Sequence, residues 1–305
     1  MSSGSNLAPE EVYQPDGNAI YLVRKDLQTG EIILVSRGGD GRTPSYVPIT
    51  VPGTGMATNR DGSIVAYIGD RNAPFTSPAI IIRNLRTGQV WVEDPGVAYE
   101  DFDTMALRLS EDGTVIAVRV GLTTDAPPPR EATTYRGVVG QPLSRVDTVC
   151  ATRPGCHTNG SFGLSRDGVL VSYGVGWTGF PSSLQVYNAT SGATVDLHPN
   201  ATDNDRILQS MLSGDGSTIA AFYAWATDTT SGQGLVVKPV NAGRIVAGDI
   251  LISSKSNVDP QAMNRNGRVV VYSEHYDAGG ASRTRYKIYD RGAGGLPTSP
   301  RGRTT

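Results

Sequence analysis

An eleven-residue phrase recurs five times along the chain, and no other feature restricts the possible folds as tightly. It reads TNRDGSIVAYI from Thr58, LSEDGTVIAVR from Leu109, LSRDGVLVSYG from Leu164, LSGDGSTIAAF from Leu212 and MNRNGRVVVYS from Met263. The five glycines, Gly62, Gly113, Gly168, Gly216 and Gly267, stand 51, 55, 48 and 51 residues apart. Self-similarity at a period near 50 is the mark of a propeller or a solenoid.

Inside one period the residues read as strands. Asp-Gly or Asn-Gly between two apolar runs is a strong hairpin signal, because glycine accepts positive φ at small steric cost. The Ser or Asn two positions earlier (Asn59, Ser110, Ser165, Ser213, Asn264) is placed to hydrogen-bond its own turn. The runs that follow, such as Ile64 to Ile68 and Val269 to Tyr272, are nearly continuous and β-rich, as in strands buried on both faces. A second phrase alternates with the first: IYLVRKDLQTGEIILVSR, IIIRNLRTGQVWVED and LQVYNATSGATVDLH each place a Thr-Gly or Ser-Gly turn between two strands. Diverged copies follow Leu235 and Tyr286, and another is expected near TTYRGVVGQPLSRVDTV. Inner and outer hairpins together make a four-stranded antiparallel blade.

The expectation is therefore an all-β chain, a β-propeller of four-stranded antiparallel blades, with six blades preferred and five as the alternative. Residues 18–297 form the single propeller domain, 1–17 precede it as a disordered or added segment, and 298–305 are a flexible tail. The last outer hairpin lacks a credible final strand, and Glu31 to Val35 is a candidate to supply it.

The phrases LSxDGxxIAY and IYxxDLxTG resemble the TolB-like β-propeller repeat, which also occurs in the propellers of prolyl-oligopeptidase-type peptidases. The resemblance spans roughly residues 18 to 295. It implies the fold and leaves function open, since this repeat serves unrelated roles.

Composition excludes several classes. With 27 basic and 29 acidic residues the chain lacks the charge footprint of a nucleic-acid binder. No run of about 18 apolar residues would cross a membrane as a helix. The start MSSGSNLAPEEVYQPDG lacks the basic and apolar regions of a signal peptide. Cys150 and Cys156, in VCATRPGCH, are expected to form a local disulfide, which would place the protein outside the cell or in the periplasm. Two ordinary thiols are the alternative, and a zinc site is disfavoured because only His157 lies nearby.

Blade topology locates the candidate site. The repeated turns share one face, so binding residues are expected on the opposite face, among the second-to-third loops and the interblade connections, which read as long and irregular. Nine residues beyond the motif glycines stand Arg71, Leu122, Trp177, Trp225 and Tyr276. Three successive aromatics just past a second strand suit a sugar ring or a peptide. Packing between blades is the plain alternative. Asp70 and His275 lie beside them, and Arg108 is expected near the central channel with Met56, Leu107, Phe162, Ser210 and Gln261. No cofactor is expected, and calcium is suggested only by Asp203 and Asp205 in ATDNDR, which lacks the full loop pattern.

The chain has no G-x-S-x-G elbow, P-loop, dinucleotide fingerprint or H-E-x-x-H helix. Its three histidines, His157, His198 and His275, all map to the irregular-loop face. The expected function is a non-enzymatic, monomeric propeller that binds a protein, peptide or glycan. A propeller hydrolase or lyase with a His/Asp or metal site is the first alternative, and a TolB-like docking protein the second.

Overall fold

The computed structural model describes residues 22–26, 28–37, 55–70, 78–94, 102–122, 132–147, 156–177, 180–197, 206–226, 231–242, 245, 249–253, 258–278 and 281–293. The chain divides into two compact units, Met1–Asp125 with Tyr135–Arg145, and Ala126–Thr134 with Val146–Thr305.

In the first unit β1 (Val23–Lys25) and β2 (Ile32–Leu34) form a two-stranded sheet. Next come two four-stranded sheets: β3 (Met56–Thr58), β4 (Ile64–Asp70), β5 (Pro78–Asn84) and β6 (Val90–Glu93), then β7 (Phe102–Leu109), β8 (Val115–Leu122), β9 (Ala132–Val138) and β10 (Ser144–Arg145). Ala66, Ile68, Ile80 and Ile82 of the first four-stranded sheet pack on Leu107, Ile116, Val118 and Val120 of the second. Burying one such Ile, Leu or Val contributes about 1.5–3 kcal/mol over leaving it exposed. The other face of β4 and β5 holds Val65, Tyr67 and Ile81 against Val35. There the buried Tyr67 hydroxyl donates to the Arg37 carbonyl at 2.6 Å, and burial pushes its pKa up to about 12.

The second unit has two four-stranded sheets and one of three. They are β11 (Cys156–Leu164), β12 (Leu170–Trp177), β13 (Phe180–Asn188) and β14 (Thr194–Asp196); β15 (Arg206–Leu212), β16 (Thr218–Ala226), β17 (Ser231–Pro239) and β18 (Ile250–Ser253); and β19 (Val258–Met263), β20 (Val269–Ala278) and β21 (Ala281–Asp290). Leu184, Val186 and Leu197 meet Ile207, Ile219 and Val236 in one core, while Phe222 and Leu235 meet Val270, Tyr272 and Tyr289 in the next. All six sheets are antiparallel between consecutive strands, as the repeat requires.

The turns share one construction. In Ser110-Glu111-Asp112-Gly113 the Gly113 N–H donates to the Ser110 carbonyl at 3.0 Å, and Gly113 adopts φ +77°. The hydroxyl of Ser110 donates to Asp112 at 2.7 Å and accepts the Val115 N–H at 2.9 Å. Asp112 also takes the Thr114 N–H at 3.0 Å. This is a type I turn closed by a left-handed glycine, with the Asp as an acceptor inside it. Ser165–Asp167 and Ser213–Asp215 repeat the arrangement.

Adjacent turns are also joined by main chain. Arg60 N–H donates to the Glu111 carbonyl at 3.1 Å, Arg166 N–H to that of Gly214 at 2.7 Å, and Asp215 N–H to that of Arg265 at 2.8 Å.

Two expectations are corrected. Ile32–Leu34, inside the segment proposed to complete the last sheet, pairs instead with Val23–Lys25. Chain after β21 enters a 3₁₀ turn at Arg291–Ala293, so this sheet has three strands among the described residues. One of its faces is correspondingly open, with Tyr286 63% and Ile288 48% exposed, and Val269 and Val271 are less buried than the runs of the other sheets.

Candidate functional site

The β20–β21 hairpin runs ten residues per strand, and its register sets out the chemistry in two rows. Tyr272 faces Lys287, Glu274 faces Arg285 and Tyr276 faces Arg283 on the side that carries the Val270–Tyr289 core. Ser273 faces Tyr286 and His275 faces Thr284 on the other.

The first row is a charged and aromatic ladder. Glu274 accepts from Arg285 Nε at 2.8 Å and from Lys287 Nζ at 2.6 Å. Those bonds, Arg285 first, hold its carboxyl below the usual range and raise Arg285 in turn. The Arg285 guanidinium lies 4.9 Å from the centre of the half-buried Tyr276 ring, a cation–π contact. Beneath them the Tyr272 hydroxyl is buried without a hydrogen-bond partner. Burial, then the Glu274 charge, pushes its pKa up.

In the second row His275 Nδ1 lies 3.0 Å from Thr284 Oγ1, and Nε2 lies 3.4 Å from Asp259 Oδ2. Gln261 Nε2 donates to Ser273 Oγ at 3.1 Å beside them. A histidine held between a hydroxyl and a carboxylate is suited to move a proton or to bind a polar ligand.

The three aromatics occupy equivalent places at one end of the second unit's sheets. They are inside the strands, not beyond them: Trp177 ends β12, Trp225 is next to last in β16 and Tyr276 lies in β20. They pair with Phe180, Gly232 and Arg283 respectively. Their connections are correspondingly short, two to four residues between β12 and β13, β16 and β17, and β20 and β21. The expectation of long irregular loops is wrong for these three, because long strands take up that chain. His157 also lies inside a strand, β11. The Trp177, Trp225, His157, Cys156 and Asp70 side chains lie outside the described residues, as do Arg71, Cys150, His198, Asp203 and Asp205 altogether.

The residues expected to line a channel separate. Leu107 and Phe162 are buried, Leu107 within the core, because alternation along their strands turns them inward. Met56 packs beside the Tyr67 cluster. The Ser210 hydroxyl is buried without a partner, and Gln261 and Arg108 are exposed.

Sequence reasoning missed Glu274, Arg285, Lys287, Asp259 and Thr284. The signal was present for four of them: counting outward from Gly279-Gly280 as a turn pairs Glu274 with Arg285 and His275 with Thr284, and alternation adds Lys287 to the first row. Also missed was a cleft of about 530 Å³ at the turn end of the second unit, lined by Asn188, Ser217, Asn241, Asn266 and Arg291 above Leu170 and Val240. Among the described residues no group of three or more His, Cys, Asp or Glu is arranged to hold a metal ion.

No family model and no curated protein matches the chain. Among solved structures it is similar to TolB from Acinetobacter baumannii, 17% identical over 89% of this chain and 57% of that one, with a TM-score of 0.46. An oligogalacturonate lyase from Vibrio parahaemolyticus is 15% identical over 90% of this chain and 72% of that one, with a TM-score of 0.55. Prolyl oligopeptidase B from Galerina marginata is 10% identical over 78% of this chain and 32% of that one, with a TM-score of 0.50. The chain thus spans just over half of that TolB and a third of the peptidase. The likeness to the lyase is one of fold: the chain has a β-propeller fold of antiparallel sheets.

Proposed function

We propose that the protein is a ligand-binding propeller that holds a peptide or glycan at the aromatic end of the second unit's sheets. The observation that carries this reading is the repeated placement of Trp177, Trp225 and Tyr276 at one end of three successive second strands. Aromatic faces offer apolar area at low entropic cost, and the neighbouring Glu274, Arg285 and His275 supply directed polar contacts. An exposed cation–π pair is cheap to open, at about 0.5–1 kcal/mol, so the Tyr276 ring is available to a ligand that displaces Arg285.

A second reading is an enzyme, favoured by the Asp259–His275–Thr284 row, in which a carboxylate and a hydroxyl flank one imidazole. The V. parahaemolyticus lyase and the peptidase are enzymes on the same fold, which permits this reading and does not select it. Closure of Cys150 with Cys156 would assign the protein to the periplasm or the cell exterior.

The test is a peptide and glycan binding screen on wild type, Trp225→Ala and Tyr276→Ala. A hit weakened roughly 10–30-fold by either substitution is expected, as for an aromatic anchor. Equal binding by all three proteins would remove the aromatic site. Turnover of a hit that disappears in His275→Gln would replace the binding reading with the enzymatic one.

A further inference from the structure

We propose that the cleft at the turn end of the second unit binds the C-terminal residue of a peptide, with its free carboxylate on Arg291 and an aliphatic side chain on a floor that includes Leu170, Val195 and Val240. The cleft lies at the end of the sheets opposite Trp225 and Tyr276, so this site is separate from the function proposed above and does not rest on it. Its volume of about 530 Å³ falls inside the range of about 300–1,000 Å³ usual for small-ligand sites. The floor is apolar, and Val195 on it is left 47% exposed. Among the residues that line the cleft, Arg291 carries the one charge.

Two departures from the repeat give the cleft this character. Arg291 N–H donates to the Arg268 carbonyl at 2.9 Å, the bond that Leu85, Val139, Ala189 and Val240 make to Ser63, Thr114, Val169 and Ser217 in the other sheets. Four apolar side chains thus have one arginine as their counterpart. Asn266 stands where the other four turns carry Asp61, Asp112, Asp167 and Asp215. The turn that shares the cleft with the arginine is therefore the one that brings no carboxylate at this position.

What the turns leave over for a ligand is mostly donors. Asn188 Oδ1 accepts the Thr190 N–H at 2.9 Å and the Ser191 N–H at 3.2 Å, and Asn266 Oδ1 accepts the Arg268 N–H at 3.2 Å. Each of these amides is left with its NH2 group. Among the described residues the Asn241 side chain forms no hydrogen bond, so it offers a donor and an acceptor side by side, the pattern that a peptide group matches. Arg291 Nη1 donates to Thr218 Oγ1 at 3.2 Å. That bond leaves Nε and Nη2, the edge that takes a carboxylate side-on, without a partner among the described residues. One guanidinium matches the single charge of a carboxylate and leaves half the charge of a doubly ionised phosphate unmet. The apolar floor selects a carboxylate that bears an aliphatic group, and the amides select one preceded by a peptide bond.

The test is titration calorimetry of the full chain with N-acetyl-alanyl-leucine, the same dipeptide as its C-terminal amide, and octanoate. Wild type is expected to bind the free acid about tenfold or more tighter than the amide, as for a charge-assisted pair. Arg291→Gln should weaken the acid by that factor and leave the amide where it was, so that discrimination between the two disappears. A merely structural arginine would weaken both alike or neither. Arg291→Lys, which keeps the charge and loses the fork, should fall between. Asn241→Ala, at an exposed side chain, should weaken acid and amide equally, by roughly three- to tenfold. Trp225→Ala should change none of these affinities, which separates the cleft from the aromatic end. Equal binding of acid and amide by wild type, binding of neither, or unchanged acid binding in Arg291→Gln would overturn the site. Octanoate binding as tightly as the peptide acid would overturn a peptide end as its occupant.

Discussion

At the turn end of the sheets, Ser110, Ser165 and Ser213 each donate to an Asp and accept a backbone N–H, and the flanking glycines are in a conformation that other residues resist. At the opposite end of β20 and β21, side chains join Glu274 to Arg285 on one face and His275 to Thr284 on the other, and the buried Tyr272 hydroxyl has no hydrogen-bond partner. The first arrangement spends its polar groups on the fold. In the second they remain addressable from outside. A protein that varied freely at the first end would lose its sheets, whereas variation at the second would change what it holds.

The contrast is sharpest at glycine. Gly267 has φ +66°, and a methyl group there would lie 2.6 Å from Thr218 Oγ1 on the neighbouring sheet. Gly267→Ala should destabilise the protein by about 2–4 kcal/mol, combining a left-handed backbone with overpacking against a buried β-branched residue. Chemical denaturation measures this. A loss below about 0.5 kcal/mol, the size of an ordinary surface change, would mean the turns do not hold the sheets together. Thr284→Ala, at the other end, should stay within that surface range.

Acid provides a second, smaller contrast. Hydrogen bonds from Ser63 hold exposed Asp61 down to about 2, and those from Ser110 and Thr114 lower Asp112. Asp215 is lowered too: burial opposes this, but the Ser217 and Ser213 bonds prevail. A carboxyl depressed in the folded state stabilises above its unfolded value near 3.8 and loses that contribution as pH falls toward its folded value. Wild type should therefore lose stability between pH about 4 and 2, and the Asp61→Asn, Asp112→Asn, Asp215→Asn triple variant should show a flatter curve over that window. Urea midpoints against pH decide it, and parallel curves would count against the turn carboxylates.

A modest effect, well below that at Gly267, is expected at Tyr276. Removing its ring forfeits a cation–π contact with an exposed Arg285 and part of a half-buried face, so Tyr276→Ala should cost only about 1 kcal/mol of stability. A much larger loss would move Tyr276 to the structural side of the contrast.

What could be read from the sequence follows the same division. Strand order and the inner and outer hairpins were legible because Asp-Gly and Thr-Gly recur at a fixed interval and each turn is made by its own residues. Even the sixth outer hairpin, β9 and β10 around Gly140 at φ +81°, falls where the period required it. The Leu107 and Phe162 positions were misread because burial depends on which way a strand's alternation faces, and a one-residue error reverses it. The His275 row and the Glu274 ladder depend on pairing across β20 and β21, which a turn motif does not announce.

The main-chain bonds between neighbouring turns have a consequence for how such a chain changes over time. The atoms that join Arg60 to Glu111 and Arg166 to Gly214 are amide hydrogens and carbonyl oxygens, which every non-proline residue brings. A blade inherited, duplicated or exchanged as a unit therefore arrives with its lateral fasteners intact, whatever side chains it carries at those positions. Arg, Glu and Gly already occupy them here without loss of the bond. Because the fasteners are main chain, residues at those turns can change while the bonds between neighbouring turns stay.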